Sequence, residues 1–169
     1  MIDGFPARNI YGCDSNSDFI NLGYDLFLDR ERLESTFIRA NILGTGADLD
    51  ILKGQLSIIN AGLFFHLFKW DEQIIIAKRL IALFRPQGES LITGRQIASP
   101  SAARAGFKVD PIVGSCFVHT EETWMKLWKI IGDETGTTWD VSIKSEPALN
   151  LTKLAGDDAF FLVFIVRRS

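Results

Sequence analysis

Two histidines and one aspartate stand where apolar segments of the chain meet polar ones, and side chains of these types transfer protons. His66 follows the apolar run at 56–65, His119 precedes an amphipathic segment, and Asp14 ends a short apolar stretch. Histidine titrates near neutral pH and serves as acid or base, and a carboxyl group beside apolar walls holds its proton more tightly. The pattern predicts acid/base chemistry by His66 or Asp14. The alternative for each is a packed or helix-capping role.

Arg95 and Gln96 form a second polar pair, at the end of the apolar segment 90–95. An arginine there can hold a carboxylate or an enolate oxygen with two hydrogen bonds, so we expect Arg95 to orient a substrate oxygen. A structural ion pair is the alternative. Cys13 and Cys116 lack metal-binding or redox spacing, and two widely spaced histidines without clustered carboxylates predict no metal site.

Short apolar segments alternate with amphipathic ones, and this order decides where the polar residues meet. The spacing predicts helices at 18–30, 71–84 and 120–135, a short helix or turn at 45–52, and strands at 9–14, 35–40, 56–65, 90–95, 139–146 and 159–166. A long loop is expected at 96–115. Asp71 and Thr120 are the expected helix N-caps.

Strands that alternate with helices indicate an α/β fold with a mostly parallel sheet, and the last two strands indicate an antiparallel hairpin. The apolar runs at 56–65 and 159–166 predict strands covered on both faces, the first of them central. Ligands of such sheets bind at the carboxyl ends of the parallel strands, so we expect the polar residues there to converge on one edge. These residues are Asp14, Asn41, the segment 60–66, Arg95 and Gln96.

Composition and charge give no support for a nucleic-acid-binding or membrane-spanning protein. The chain has 169 residues and a net charge of −3, with no basic excess that would favour nucleic acid. The length predicts a single domain over 1–169. No apolar window is long enough for a membrane span, and the N-terminus lacks the pattern of a signal peptide, so a cytoplasmic protein is expected. The 13 Phe and 4 Trp predict a Phe-rich core or a pocket for an apolar substrate.

Five motifs carry a family resemblance that runs from about residue 8 to the C-terminus. They are GCDSN at 12–16, FIRANIL at 37–43, INAGLFFHLFKWDEQ at 59–73, AKRLIALFRPQGESLITGRQ at 77–96 and WMKLWKIIGDETGTTWDV at 124–141. The chain resembles class I S-adenosylmethionine-dependent methyltransferases, and most closely the small fungal enzymes of meroterpenoid and related secondary-metabolite pathways.

The resemblance implies roles for individual residues. Asp14 matches the acid that binds the ribose hydroxyls of the cofactor, and Asn41 stands where an acid usually meets the adenine amine. Asn60 and the residues after it would face the cofactor. The implied substrate-binding residues are Phe65, Trp70, Gln96, His119 and Trp124, beside the candidate catalytic residues His66, Asp14 and Arg95.

The resemblance also implies missing parts. The family's N-terminal helices, its first strand and the glycine-rich turn after that strand have no counterpart here, and the glycines at 44 and 46 are best explained as a turn. Without the first strand, the segment 56–65 would expose an apolar edge. We therefore expect a homodimer, or a hetero-complex in which another chain supplies the missing strand.

Three functions follow as expectations, in this order. The first is a cofactor-free isomerase or cyclase of natural products, working by acid/base chemistry on the methyltransferase fold, with no cofactor expected. The second is an S-adenosylmethionine-dependent O-methyltransferase completed by a partner chain or a second subunit. The third is a non-catalytic partner of a full-length homologue. Fold alone does not decide among them.

Overall fold

The computed structural model describes residues 5–44, 48–101, 108–110, 114–148 and 157–169. The chain divides into two compact units, Met1–Leu52 and Lys53–Ser169, and each is described by itself. That residues 1–169 form a single domain stays a prediction.

The first unit is a β-α-β arrangement. Strand β1 (Tyr11–Asp14) pairs in parallel with β2 (Thr36–Arg39), and helix α1 (Ser17–Phe27) connects them. The Asn16 side chain caps α1 by accepting a hydrogen bond from the Asp18 N–H at 2.9 Å. Single 3₁₀ turns lie at Ala7–Asn9 and Asp50–Leu52.

The second unit contains the larger sheet. Its elements are β3 (Ile58–Asn60), a 3₁₀ turn (Phe65–Leu67), α2 (Trp70–Leu83), β4 (Leu91–Ala98), β5 (Lys108–Asp110), β6 (Gly114–Ser115), α3 (Glu121–Thr135), β7 (Trp139–Pro147) and β8 (Phe160–Arg168). Four strands form a sheet in the order β3-β4-β8-β7, and β5 pairs with β6. β3 and β4 are parallel, whereas β8 is antiparallel to both β4 and β7.

One face of this sheet and the two helices enclose the core. Alternate residues of β8, namely Leu162, Phe164 and Val166, are buried because successive side chains of a strand point to opposite faces. Trp124 of α3 packs on Phe164 with ring centroids 4.7 Å apart. The other large buried side chains of this core include Phe65, Ile76, Ile92, Leu127, Trp128 and Ile131.

The helix starts test the predicted caps. Thr120 caps α3 as expected, because its Oγ1 accepts a hydrogen bond from the Thr123 N–H at 3.2 Å. The prediction for α2 is wrong. That helix begins at Trp70 with Lys69 at the cap position, where the Lys69 N–H donates to Glu72 Oε2 at 2.8 Å. Asp71 lies within the first turn, where an acid interacts favourably with the helix dipole.

The α/β fold and the β7–β8 hairpin are confirmed, but two strand predictions need correction. The run at 56–65 does not form a central strand: only Ile58–Asn60 is extended, at the edge of the sheet, and Ile58 is 61% exposed. In β8 only one face is fully covered, since Ile165 is 42% exposed. A uniformly apolar segment has no period that would show which of its faces is buried.

The remaining predicted elements differ in their limits. The expected loop at 96–115 is shorter, because Gln96, Ile97 and Ala98 belong to β4. Residues 102–107 and 111–113 of that loop lie outside the described residues, as do 45–47 of the expected helix or turn at 45–52. No helix in the described ranges is both long and apolar enough to cross a membrane.

Candidate functional site

The three residues predicted to contact a cofactor make the same local structure. A side-chain oxygen of each accepts a hydrogen bond from the backbone N–H two residues later: Asp14 from Asn16 at 2.8 Å, Asn41 from Leu43 at 2.9 Å, and Asn60 from Gly62 at 2.9 Å. Such Asx turns let the chain change direction where a strand ends. Each turn uses one side-chain oxygen, so the second oxygen of Asp14 and the amide NH₂ groups of Asn41 and Asn60 have no further partner among the described residues.

In the first unit, Asp14 and Asn41 lie at the same end of the β1–β2 pair. The Ala40 N–H donates to the Asp14 carbonyl at 2.9 Å, which fixes the exit of β2 beside that of β1. Asp14 also lines a cavity of about 290 Å³ whose walls are mostly apolar, with Gly12, Phe19, Tyr24, Phe27 and Phe37 among them. Cys13 lines it too, and burial together with the Asp14 carboxylate raises the pKa of its thiol, so it is not a ready nucleophile.

In the second unit, Asn60 ends β3. Arg95 does not end its strand as predicted, because β4 continues for three more residues to Ala98. The chain leaving β3 stays bonded to β4, since the Ala61 N–H donates to the Thr93 carbonyl at 2.8 Å and the Leu63 N–H to the Arg95 carbonyl at 2.6 Å. The Arg95 side chain is exposed, and its guanidinium carbon lies 4.9 Å from the centre of the Phe161 ring. This cation is therefore held beside an aromatic ring of β8 and faces solvent.

Aromatic rings also form a cluster in the second unit. Trp70 and Phe117 have ring centroids 4.9 Å apart and are half-buried. The buried His119 ring lies 5.0 Å from Phe117 and 5.1 Å from Trp124. Phe65 continues the cluster inward at 5.1 Å from Trp124. Four of the five predicted substrate-binding residues thus belong to one cluster.

His119 is held in a buried hydrogen-bond network. Gln73 Nε2 donates to the carbonyls of Phe68 at 2.9 Å and Phe117 at 2.8 Å, so its Oε1 is the acceptor for His119 Nε2 at 2.7 Å. His119 Nδ1 lies 3.1 Å from Thr123 Oγ1. Burial lowers the pKa of His119 to about 3. Gln73 Oε1 therefore accepts the proton of His119 Nε2, and burial favours the neutral ring.

His66 and Gln96 are buried polar side chains without such a network. His66 Nδ1 and both amide atoms of Gln96 have no hydrogen-bond partner among the described residues. Burial lowers the pKa of His66 to about 4, so His66 is neutral at pH 7. Gln96 lies on the core side of β4, in register with Leu162. The catalytic role of His66 and the substrate-binding role of Gln96 stay predictions.

Sequence reasoning missed the residues that organise the aromatic cluster, namely Gln73, Phe117 and Thr123. One signal was available for Gln73: it occupies the apolar stripe of its helix, three and four residues before Ile76 and Ala77, where a polar side chain needs a buried partner. Phe117 gave no comparable signal, since its neighbours arrive from distant segments. Within the described ranges, no three His, Cys, Asp or Glu side chains lie close enough to hold a metal ion.

Comparison with known proteins bears directly on the family. No protein-family model matches the chain. It is 41% identical over 143 residues to the O-methyltransferase phiE of a fungal species, covering 83% of this chain and 47% of that protein. It is 37% identical over 169 residues to the Asnovolin E/Chermesin D methyltransferase nvfJ of Aspergillus novofumigatus, covering 99% of this chain and 60% of that protein.

Solved structures carry the same fold. The 1,6-didemethyltoxoflavin-N1-methyltransferase of Burkholderia thailandensis, bound to S-adenosylhomocysteine, matches 95% of this chain and 61% of its own with a TM-score of 0.57 at 14% identity. This chain has a class I methyltransferase-like α/β fold. The cyclase SpnF matches 94% of the chain and 66% of its own with a TM-score of 0.63, but at 9% identity that likeness shows the fold alone.

Two consequences follow for this methyltransferase-like chain. It spans about half the length of the curated relatives it matches. The expectation of no cofactor is wrong: the relatives are methyltransferases, and a structural neighbour binds S-adenosylhomocysteine, the product left after S-adenosylmethionine gives up its methyl group. That expectation depended on the family's glycine-rich turn, for which the sequence has no counterpart.

Proposed function

We propose that this chain contributes to an S-adenosylmethionine-dependent O-methyltransferase whose acceptor is a carboxylate oxygen of an apolar natural product. The observation that carries the proposal is the 41% identity to an O-methyltransferase. The arrangement of this chain's own polar groups supports it further and favours one type of acceptor.

The donor set at the strand ends suits S-adenosylmethionine. In the first unit, the free carboxylate oxygen of Asp14 can accept a hydrogen bond from a ribose hydroxyl, and the Asn41 amide can donate to or accept from a purine ring. When bound, this cofactor supplies an electrophilic methyl group on a positively charged sulfur. Asx turns hold both side chains in place before any ligand binds, which lowers the entropic cost of binding.

The state of the histidines favours an acceptor that is already ionised. Burial holds His66 and His119 neutral at pH 7, with pKa values of about 4 and about 3, so neither retains a proton well at that pH. A hydroxyl acceptor needs a base to take its proton, whereas a carboxylic acid with a pKa near 4 has lost its proton at pH 7. The exposed Arg95 guanidinium suits the orientation of such a carboxylate.

The apolar body of the substrate has a matching surface. Half-buried Trp70 and Phe117 present aromatic rings next to the strand ends, and Leu63 is exposed nearby in the chain. Aromatic rings bind large apolar molecules with little loss of side-chain freedom. One relative is named as a methyltransferase of asnovolin E and chermesin D, so these two compounds are the first acceptors to test.

A second candidate reaction is an isomerisation or cyclisation of a similar natural product on the same fold. Its support is the fold of the cyclase SpnF, which shows that this architecture can carry such a reaction. It predicts a product of unchanged mass, whereas methyl transfer predicts a product heavier by one methylene group. Mass spectrometry of the product distinguishes the two.

The first experiment is calorimetric titration of the purified chain with S-adenosylhomocysteine, followed by transfer of labelled methyl to carboxylic-acid and hydroxyl natural products. Asp14→Ala should weaken binding about 10- to 100-fold, because a hydrogen bond to a charged group contributes about 1.5–3 kcal/mol. Asp25→Ala is the matched control: this exposed acid on α1 does not line the cavity, and its removal should leave binding unchanged.

The outcomes separate the candidates. Label in a methyl ester supports the proposal, and label in an ether only would overturn the carboxylate acceptor. A folded chain that binds no S-adenosylhomocysteine contradicts the cofactor assignment for this chain.

A further inference from the structure

Gln73 joins two segments that lie far apart in the chain. Its Nε2 donates to the Phe68 carbonyl at 2.9 Å and to the Phe117 carbonyl at 2.8 Å, and its Oε1 accepts from His119 Nε2 at 2.7 Å. The side chain is fully buried. Both amide hydrogens and the oxygen are engaged, so this one amide connects the segment before α2 with the segment before α3.

The backbone of Phe117 is bonded to the start of α2 through both of its polar groups. Its N–H donates to the Phe68 carbonyl at 2.9 Å, and its carbonyl accepts from Gln73. Two residues later, the His119 carbonyl accepts from the Ser99 N–H at 3.2 Å, just after the end of β4. The short segment that carries Phe117 is thus bonded both to the start of α2 and to the end of β4.

Trp70 and Gln73 lie three residues apart on α2, and both contact Phe117. Residues at this spacing are neighbours on a helix surface. The Trp70 ring packs on the Phe117 ring with centroids 4.9 Å apart and planes at 71°, an edge-to-face geometry that aromatic pairs prefer. Gln73 holds the backbone of the same phenylalanine. The indole and the amide together therefore determine where the Phe117 ring lies.

The chemistry of a buried amide suits a positioning role. Its hydrogen bonds replace bonds to water, so they contribute only modestly to stability, and an apolar side chain at a buried position needs no partner. Hydrogen bonds are directional, however, and three of them at one amide restrict the segments that they join. Because Gln73 is fully buried, its effect on a bound molecule has to pass through the residues that it holds.

We propose that Gln73 is a positioning residue for the methyl acceptor: it holds Phe117 beside Trp70 and so raises the affinity for the apolar body of the acceptor. The inference rests on the proposed function, because it takes the Trp70–Phe117 pair as the surface that binds this body. Those two rings are half-buried, whereas Gln73 has no exposed surface. Gln73 acts through Phe117 and contacts neither the acceptor nor the cofactor.

Steady-state methyl transfer by the purified chain tests the effect on binding, with the acceptor that gives labelled product in the transfer experiment. Gln73→Met removes the three hydrogen bonds and keeps a similar volume. We expect the KM for the acceptor to rise about tenfold, with kcat and the Kd for S-adenosylhomocysteine changed less than about twofold, since lost ground-state binding raises KM alone. A lower kcat at unchanged KM overturns the proposal.

Ile131→Val is the matched control for that variant. Ile131 is fully buried in the C-terminal half of α3, so its truncation also lowers stability but leaves the hydrogen bonds of Gln73 in place. The KM for the acceptor should stay unchanged in this variant. An equal rise in both variants would mean that KM follows general stability, which overturns the positioning role.

Amide hydrogen exchange of Phe117, followed by NMR, tests its position without turnover. The Phe117 N–H is bonded to the Phe68 carbonyl, so its exchange reports on how often this segment opens. We expect exchange at least about tenfold faster in Gln73→Met than in Ile131→Val, because the first variant frees the segment and the second does not. Equal exchange rates in the two variants overturn the proposal whatever the turnover.

A double-mutant cycle with Phe117→Ala shows through which ring Gln73 acts. Phe117→Ala alone should raise the KM for the acceptor. In that background, Gln73→Met should raise it by less than about a further twofold, because both changes remove the same contact. Fully multiplicative effects would place the action of Gln73 elsewhere and overturn the proposal. A wild-type chain that transfers no methyl group contradicts the proposed function, and the exchange comparison then decides by itself whether Gln73 positions Phe117.

Discussion

The two units of the chain differ in where their apolar side chains lie. In the second unit, Trp124, Trp128 and Phe164 are fully buried between the sheet and two helices. In the first unit, α1 contributes no buried residue, and Phe19, Leu22 and Leu26 are each more than 60% exposed. Since burial of apolar surface is the main stabilising contribution to folding, the second unit holds most of the folding free energy.

An exposed apolar helix face in a folded protein commonly marks a surface that another group covers. The second unit is therefore stabilised by its own core, whereas the first unit has an apolar helix face that could bind another group. Intrinsic fluorescence can follow the two units separately. All four tryptophans lie in Lys53–Ser169, and both tyrosines lie in Met1–Leu52.

The largest expected effect comes from the core of the second unit. Trp124→Ala removes a buried ring that contacts Phe65, His119 and Phe164, and should lower the free energy of unfolding by about 3–5 kcal/mol. Urea unfolding followed by the fluorescence of the other tryptophans measures this loss. A loss below about 1 kcal/mol would contradict a sealed core around this ring.

A pH dependence of stability is the next largest effect. Burial lowers the pKa values of His66 and His119 below 6.5, so the unfolded chain binds protons that the folded chain does not. The stability due to the neutral rings is complete above pH 6.5 and falls as the pH drops toward 4, by about 1.4 kcal/mol per histidine per pH unit. Urea unfolding at several pH values measures the slope, and His119→Gln should reduce it by about half. A slope that does not change in this variant would mean that folding leaves the pKa of His119 unshifted.

A pair of buried glutamines gives opposite expected effects. Gln96→Met removes two amide atoms that have no partner in the described part of the chain, and should stabilise the second unit by about 1–2 kcal/mol. Gln73→Met removes three hydrogen bonds and should destabilise it by a similar amount. Thermal unfolding compares the two. If Gln96→Met also destabilises, then Gln96 has a partner that stabilises the folded chain, and a simultaneous loss of turnover would identify that partner as substrate.

The smallest expected effect is at the surface of the first unit. Leu22→Gln should change the free energy of unfolding by less than about 0.5 kcal/mol, because the leucine is 61% exposed and glutamine forms helices nearly as well. Leu127→Gln is the matched substitution in buried α3 and should cost several times more. Tyrosine signals follow the first variant and tryptophan fluorescence the second. A large loss at Leu22 would show that its face of α1 is covered in solution.

Local sequence signals predicted much of the site but little of its organisation. Asp14, Asn41 and Asn60 could be found because each follows an apolar segment and is an Asx-turn former, and all three do make such turns. The Gln73–His119 network could not be found, because its partners are 46 residues apart in the chain and meet only when α2 packs beside the segment before α3. Whether the predicted site residues act in catalysis or binding stays a prediction.

By itself, the sequence determined the alternation of strands and helices, the Thr120 cap, the C-terminal hairpin and the resemblance to fungal methyltransferases. These depend on residue periodicity and short motifs, which act over a few neighbouring residues. Only the tertiary structure decided that the segment at 56–65 yields a short edge strand, that Lys69 rather than Asp71 precedes α2, and that Gln96 is enclosed in the core. Burial and strand order depend on which distant segments pair. An apolar run has the same sequence pattern whether it lies at the centre of a sheet or at its edge.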